Sequence, residues 1–370
     1  MTSTRPRVAF LVNGPPGGAL APRAAAFAER LGGRFEISTT FRERGGRQGI
    51  GDFLATLSAL RPAATYVIDM AYAGVLAAAR WRRSSGAAYA IDTGDAIFAL
   101  ARSAGLRGPL GLAATWALEE FGLRDANAIV VRGTYHRELL SQRGVDATVV
   151  QDGVEAGRFA SREVPHLRAS LAPAGELTVG LLGNTVWSTR LGIGYGWELV
   201  EIMRELKGEA VRGIMIGSGT AIPILKERAA SYGVSEQLTF IPHIPYDTIA
   251  DYLSAIDICL STQTNDVPGN VRTTGKLPLY LAAGRYILAS DVGEAARVLP
   301  QSMRVRYDGT VDRAYPSRVA ARVRELLSDR KALDVSEGMS AIARARFDYD
   351  VLAPRVGSVL DELIAASRAS

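Results

Sequence analysis

The chain has 370 residues, 48% of them apolar and 22% charged, with 43 basic and 38 acidic side chains and a formal charge of +5. That balance fits a globular protein with room for two cores, and a single cysteine excludes a disulfide framework. No apolar run nears the roughly 20 residues of a membrane span, and 8–12 is too short for a leader's apolar segment, so a cytoplasmic protein is expected.

In chain order, an apolar strand over 8–12 runs into the loop Asn13-Gly14-Pro15-Pro16-Gly17-Gly18 and a helix over 21–31. Strand patterns follow at 35–38, 64–68, 87–91, 128–131 and 148–151, with helices between them that include 111–121 and 135–143. Residues 155–176 hold Pro165, Pro173 and several charges without periodicity, as a linker does. A second alternating series has strands at 177–182, 212–216, 238–241 and 258–261 and helices at 196–207, 222–232 and 246–255. A glycine-rich stretch over 272–293, a helix over 318–327 and an amphipathic helix over 349–366 complete it. Such alternation predicts an α/β protein with parallel sheets covered on both faces. The expected architecture is two Rossmann-like domains facing a cleft, 1–165 and 166–345, with 346–370 returning as a helix to the first. Ligands are expected at the carboxyl ends of the strands.

The 272–293 stretch carries most chemistry. Arg272 to Gly293 reads as a Gly-Lys loop, a short helix, a glycine stop and a buried strand ending in a second glycine loop. Thr273 or Thr274 is placed to cap the helix, and Pro278 sits in its first turn, where a missing N–H costs nothing. Amides at that start, together with Lys276, make a seat for a phosphate; the competing reading is a helix-end lysine in solvent.

Other patterns exclude functions. The run from Gly269 to Lys276 has its first glycine one residue too early for a phosphate loop, and Leu277 stands where that loop has Ser or Thr. Asp348-Tyr349-Asp350 reads as helix capping rather than a metal triplet, and His136, His166 and His243 are too scattered for a zinc site. No nucleophile elbow appears, and Cys259 reads as a buried strand residue. The basic excess lies in residues 1–170, which hold 21 arginines, no lysine and 15 acids. Its clusters at Arg42, Arg44, Arg47 and at Arg80, Arg82, Arg83 fit peripheral contact with an anionic membrane, an anionic acceptor, or a solvated arginine-rich surface. Without aromatic interleaving or a helix-turn-helix they do not read as a nucleic-acid site.

Lys276-Leu277-Pro278-Leu279-Tyr280-Leu281-Ala282-Ala283-Gly284 resembles the nucleotide-sugar segment of family-4 retaining glycosyltransferases of GT-B fold, usually Lys-Leu-x-Glu-Tyr-x-Ala-x-Gly. The resemblance extends over nearly the whole chain. It includes Gly14 to Gly18, Gln151-Asp152-Gly153-Val154-Glu155, Val179 to Gly183, Met215-Ile216-Gly217-Ser218-Gly219, and Phe240 to Pro245. It rests on the order and spacing of motifs that are individually unspecific. It implies a retaining transfer of a hexosyl or deoxyhexosyl group from a nucleotide-sugar to a hydroxyl of a glycan, lipid-linked or natural-product acceptor, as in polysaccharide biosynthesis. No metal and no further cofactor are implied. Lys276 and Arg190 would meet the diphosphate, whose growing charge must be neutralised as the glycosidic bond stretches. Gly183, Gly217, Gly219, His243, Ile244, Thr274 and Gly275 would surround the nucleotide, with His243 equally readable as a loop histidine satisfied by backbone. Gly17, Gly18 and Asp92 would face the acceptor, though Asp92 or Asp95 can also cap a helix.

Three positions depart from the pattern. Ile91 stands where a histidine usually precedes Asp92, and Val271 and Leu279 occupy the places of two glutamates. A buried ribose hydroxyl left without its partner costs about 1–3 kcal/mol. Asn265, Asp266, Asn270 or Thr274 are candidate substitutes, and a deoxy-sugar donor is another explanation. The same departures admit a non-catalytic GT-B protein acting as a binding or partner subunit. A sugar-nucleotide epimerase shares the architecture but uses more carboxylates and histidines.

Overall fold

The computed structural model of the protein describes residues 5–105 and 107–369. The chain divides into two compact units. One is built from the residues up to Gly153 with Val271–Thr273 and the chain from Tyr349 on; the other comprises Val154–Asn270 and Thr274–Asp348.

The first unit runs β1 (Arg7–Val12), α1 (Ala21–Leu31), β2 (Glu36–Phe41), α2 (Gly46–Leu60), β3 (Ala64–Ile68), α3 (Tyr72–Ser85), β4 (Ala88–Thr93), α4 (Ile97–Ala104), α5 (Pro109–Asp125), β5 (Ala128–Val131), α6 (Thr134–Ser141) and β6 (Thr148–Val149). Its sheet has the order β2-β1-β3-β4-β5-β6, and every pairing is parallel. Parallel strands covered on both faces need side chains that tolerate burial all along, which Val8 to Val12 and Ala64 to Ile68 supply. Phe53 and Leu57 of α2 and Ala73, Val75, Ala77, Ala78 and Ala79 of α3 pack on one face.

The second unit runs α7 (Pro165–Leu171), β7 (Leu177–Leu182), β8 (Trp187–Ser188), β9 (Ile193–Gly194), α8 (Trp197–Glu205), β10 (Val211–Ile216), α9 (Ile222–Tyr232), β11 (Leu238–Ile241), α10 (Ile249–Ser254), β12 (Ile258–Ser261), α11 (Val267–Val271), α12 (Lys276–Ala282), β13 (Tyr286–Ser290), α13 (Ala295–Val298), β14 (Arg304–Val305), α14 (Tyr315–Ser328) and α15 (Ser336–Arg346). Its sheet, β11-β10-β7-β12-β13-β14, is also parallel throughout. The last helix, α16 (Tyr349–Ala369), packs on the first unit beside α1, where Phe27 and Tyr349 meet edge to face at 5.5 Å between ring centres.

The two parallel sheets with flanking helices expected from the sequence are observed, as is the last helix on the first unit, and local differences have local causes. The stretch read as a linker contains α7: Pro165 opens it, and Arg168 ties it down by donating to Thr178 Oγ1 at 2.6 Å and Asp257 at 2.7 Å. The helix expected over 246–255 is regular only from Ile249, after the tight turn Tyr246–Thr248 that follows the extended Pro245. Cys259 is a buried residue of β12, as read.

Candidate functional site

In the second sheet β7 is the turning point of the strand order, with β10 on one side and β12 on the other. Lys276, at the first position of α12, reaches the carboxyl end of β7. A methyl group added at Gly183 would stand 3.2 Å from its Nζ and 3.1 Å from the ring of Tyr195. The ammonium lies 3.7 Å from the centre of that ring, a cation–π contact that holds it over the strand end. Helix α12 is fixed to the same strand by Tyr280, whose hydroxyl accepts the amide of Leu182 at 2.9 Å. The apolar set Leu277, Pro278, Leu279 and Leu281 buries the rest of the helix.

A carboxylate that the motifs did not single out belongs to this region. Glu198, in the first turn of α8, is 6% exposed. Burial pushes its carboxyl up to about 7, against the opposing pull of the Gly196 and Glu198 amides and the Lys276 charge. Tyr195, Tyr307 and Tyr315 surround it electrostatically, their own hydroxyls raised first of all by burial. Its signal in the sequence is an acid placed among Trp197, Leu199 and Val200, which are all buried. In the sequence that reads only as a polar position on an apolar helix.

The loops after β7 and β10 are zipped together by backbone. Gly183 N donates to Ile216 O at 2.9 Å, Thr185 N to Ser218 O at 3.0 Å, and Gly217 N to Ile241 O at 2.9 Å. The approach is close enough that a methyl at Gly217, whose φ is +139°, would fall 2.0 Å from Gly183 O. Loop packing therefore already accounts for glycine at 217, and at 219, where the same atom would lie 2.3 Å from Thr185 O. Gly275 is different: its φ is −56°, it is exposed, and nothing lies within 4 Å of an added methyl. No steric or conformational demand of the fold requires glycine there.

The other residues expected around a nucleotide stand on several loops. Arg190 lies at the exposed tip of the β8–β9 hairpin, which closes with Gly192 N on Ser188 O at 2.9 Å. His243 is exposed, whereas Ile244 is a core residue, 8% exposed, so only its backbone is left for a ligand. Thr274 is half-buried, and its carbonyl accepts the amide of Leu277. Neither threonine caps α12: its start has no side-chain cap, and the Thr273 hydroxyl donates instead to Asp152 at 2.8 Å. Val271 is fully buried and Leu279 is 9% exposed within the core. The proposed substitutes hold loops to one another. Asn265 donates to Tyr307 O, Asn270 accepts Gly293 N and donates to Asn265, and Asp266 receives Gly269 N and the Thr264 hydroxyl.

In the first unit the carboxyl ends of β3, β4 and β5 carry a buried charge network. Asp92, wholly buried, accepts from Arg23 Nε at 2.7 Å, Tyr66 Oη at 2.9 Å and Arg132 Nε at 3.3 Å. Burial alone would raise its carboxyl, but Arg23 and Arg132 override that and hold it below the usual range. Arg23 also donates to the carbonyls of Gln151 and Val150. Arg132 pairs with Asp152 at 3.5 Å, and its Nη2 is buried without a partner. Asp92 therefore faces the interior of the unit and anchors two arginines. Neither Asp92 nor Asp95 caps α4: that helix starts without a side-chain cap, and the Asp95 carboxylate pairs with Arg272 at 2.9 Å. Asp348 and Asp350 are likewise engaged, with the Ala156 amide and with Arg30. Gly17, with φ +73°, occupies the third position of a turn closed by Gly18 N on Pro15 O at 3.1 Å, which only a glycine-like backbone allows after Pro16.

The two parallel sheets with flanking helices define a two-domain α/β protein of the GT-B class. Among solved structures it is similar to sucrose-phosphate synthase from Thermosynechococcus elongatus, at TM-score 0.77 and 15% identity over 98% of this chain and 100% of that one. HepE of Anabaena in complex with UDP and glucose matches at 0.74 and 15% identity over 97% and 100%. A putative UDP-N-acetylglucosamine 2-epimerase from Listeria monocytogenes matches at 0.62 and 13% over 96% of each. At such identities the likeness is one of fold. No family model and no curated protein matches the sequence.

Proposed function

We propose that the protein is a glycosyltransferase that moves a sugar from a nucleotide-diphosphate donor to a hydroxyl acceptor. The second unit holds the donor, with the diphosphate against Lys276. The observation that carries this reading is the placement of Lys276 over the end of β7, at the strand where the sheet order turns. There a glycine at 183 leaves room and a glycine at 275 answers no need of the fold. As the bond from the anomeric carbon to the phosphate oxygen breaks, charge grows on the leaving diphosphate, and a fixed ammonium stabilises it more in the transition state than before. Retention of configuration, independence from metal and a hexosyl or deoxyhexosyl donor complete the proposal. So does an acceptor that is a glycan, a lipid-linked sugar or a natural product. HepE, solved in complex with UDP and glucose, supports uridine as the base to try first. Arg190 is proposed as a second cation on the diphosphate, and Asp92 as the anchor that positions Arg132 rather than as a group that touches the acceptor.

Turnover of a UDP-sugar in the presence of candidate acceptors tests this. Lys276→Ala is expected to lower it about 100-fold or more, the range seen for removing one charge-stabilising group. Unchanged turnover removes Lys276 from the chemistry. A second reading, a GT-B protein that binds without catalysing, is favoured by Val271 and Leu279, which bury apolar side chains where the resembled family has carboxylates. Nucleotide binding without turnover on any donor would decide for it.

A further inference from the structure

Strand β2 ends the first sheet on one side, and among the described residues no strand pairs with its outer edge. Its bonds to β1 fix which backbone groups are left over. Glu36 N donates to Pro6 O at 3.0 Å and Arg42 N to Val12 O at 2.9 Å, with the parallel register unbroken between them. Backbone groups alternate in direction along a strand, so Ser38 and Thr40 also face β1. Ile37, Thr39 and Phe41 therefore turn their amides and carbonyls outward. Among the described residues no hydrogen bond uses those groups. Edge strands are commonly kept from pairing by a lysine, a proline, a bulge or very short length. β2 has six residues, Glu-Ile-Ser-Thr-Thr-Phe, and none of these devices, whereas the opposite edge, β6, has only two residues.

The side chains of β2 divide between the faces of the sheet. Ile37 and Phe41 pack on the core beneath α1 and α16, with Thr39 half-buried between them. Glu36, Ser38, Thr40 and Arg42 take the other face, where the Arg42 stem passes Gly49 of α2. Glu36 is exposed and Arg42 half-buried, and among the described residues neither belongs to an ion pair.

An antiparallel strand can bond to this edge only if outward residues stand opposite outward residues. A two-fold axis through Thr39 meets that condition for a second copy of β2. Thr39 then faces Thr39, Ile37 faces Phe41 of the second copy, Ser38 faces its Thr40, and Glu36 faces its Arg42. Each unlike pair occurs twice by symmetry, and each joins groups that attract: apolar with apolar, hydroxyl with hydroxyl, acid with base. Any other centre within the strand loses the match of Glu36 with Arg42. Such a contact uses the same edge on both copies, so it closes at a dimer and leaves no edge for further growth on that side.

We propose that the chain forms a two-fold dimer through the first unit, by antiparallel pairing of β2 with β2 of a second copy about Thr39. Outward backbone groups of Ile37, Thr39 and Phe41 make the bonds, and Glu36 and Arg42 set the register. This inference does not depend on the transferase reading, since assembly is read without nucleotide or turnover.

Sedimentation equilibrium of the full chain across the micromolar range tests it. Wild type is expected to dimerise. Glu36→Arg, and separately Arg42→Glu, puts like charges in both symmetric pairs and should raise the dissociation constant at least about tenfold. The two substitutions together restore opposite charges and should return most of the lost affinity, which a strand merely loosened by mutation would not do. Thr39→Cys, oxidised by oxygen with copper, should cross-link to its own counterpart, while Ser38→Cys, opposite Thr40, should do so far less. The native Cys259 is buried and takes no part. A chain that sediments as a monomer throughout overturns the proposal. So does a dimer that neither single reversal weakens, one that the double reversal fails to restore, or one that Thr39→Cys does not cross-link.

Discussion

Replacing Glu198 by glutamine is the sharpest probe of how the region around Lys276 is built. The Glu198 carboxyl titrates near 7 in the folded protein, against 4.5 for the free group. The folded state therefore keeps a proton that the unfolded chain gives up. Between these two values stability falls as pH rises, because the native state binds more protons. The stabilising contribution is fully present below about pH 4.5 and is gone once pH passes about 7, a swing on the order of 3 kcal/mol. Glutamine keeps the shape of the neutral acid and cannot titrate. Denaturant unfolding of wild type and Glu198→Gln, followed at about pH 5 and pH 8, should show the variant gaining on wild type by roughly that amount at the higher pH. Adding Lys276→Met to the wild-type background should enlarge the wild-type pH dependence, since the ammonium is one of the groups holding the Glu198 value down. Parallel pH profiles for wild type and Glu198→Gln would refute the reasoning.

Gly217→Ala places a methyl 2.0 Å from Gly183 O at a φ of +139°, and should cost about 2–4 kcal/mol in denaturant unfolding. Gly275→Ala, in open space at a φ of −56°, should leave the same unfolding curve within about 0.5 kcal/mol while weakening nucleotide binding, which calorimetry reads directly. Asp92→Asn leaves Arg23 and Arg132 buried with one countercharge fewer and should destabilise the protein by about 3–5 kcal/mol, measured by the same denaturation.

The alternation of apolar strands and amphipathic helices made the parallel sheets legible, and strands such as Ala64–Ile68 and Leu177–Leu182 begin and end where the pattern places them. Motif spacing located Lys276 at the start of a short helix, because a loop-helix-strand run admits few geometries, and the structure brings that start to the end of β7. What it missed depends on contacts distant in sequence. The partnership of Asp92 with Arg23 and Arg132 joins residues 69 and 40 positions apart, and no local pattern tells a buried ion pair from a cap. Thr273 looked like a cap for α12 because it precedes the helix, yet its hydroxyl finds Asp152, 121 positions away. The exposed side of α5 was hidden for another reason. Its apolar residues satisfy a helical pattern equally well facing in or out, and the burial of Thr115, Glu119, Gly122 and Leu123 shows which way it turns.

The central claim is that the second unit seats a nucleoside diphosphate against Lys276. Calorimetric titration of the full chain with UDP, GDP, ADP and dTDP, repeated with Lys276→Ala, tests it most directly. The account predicts saturable binding of at least one of them, weakened about 10- to 100-fold by the substitution, as expected for losing one charged hydrogen bond. No binding to any of the four, or binding that Lys276→Ala leaves intact, would contradict it.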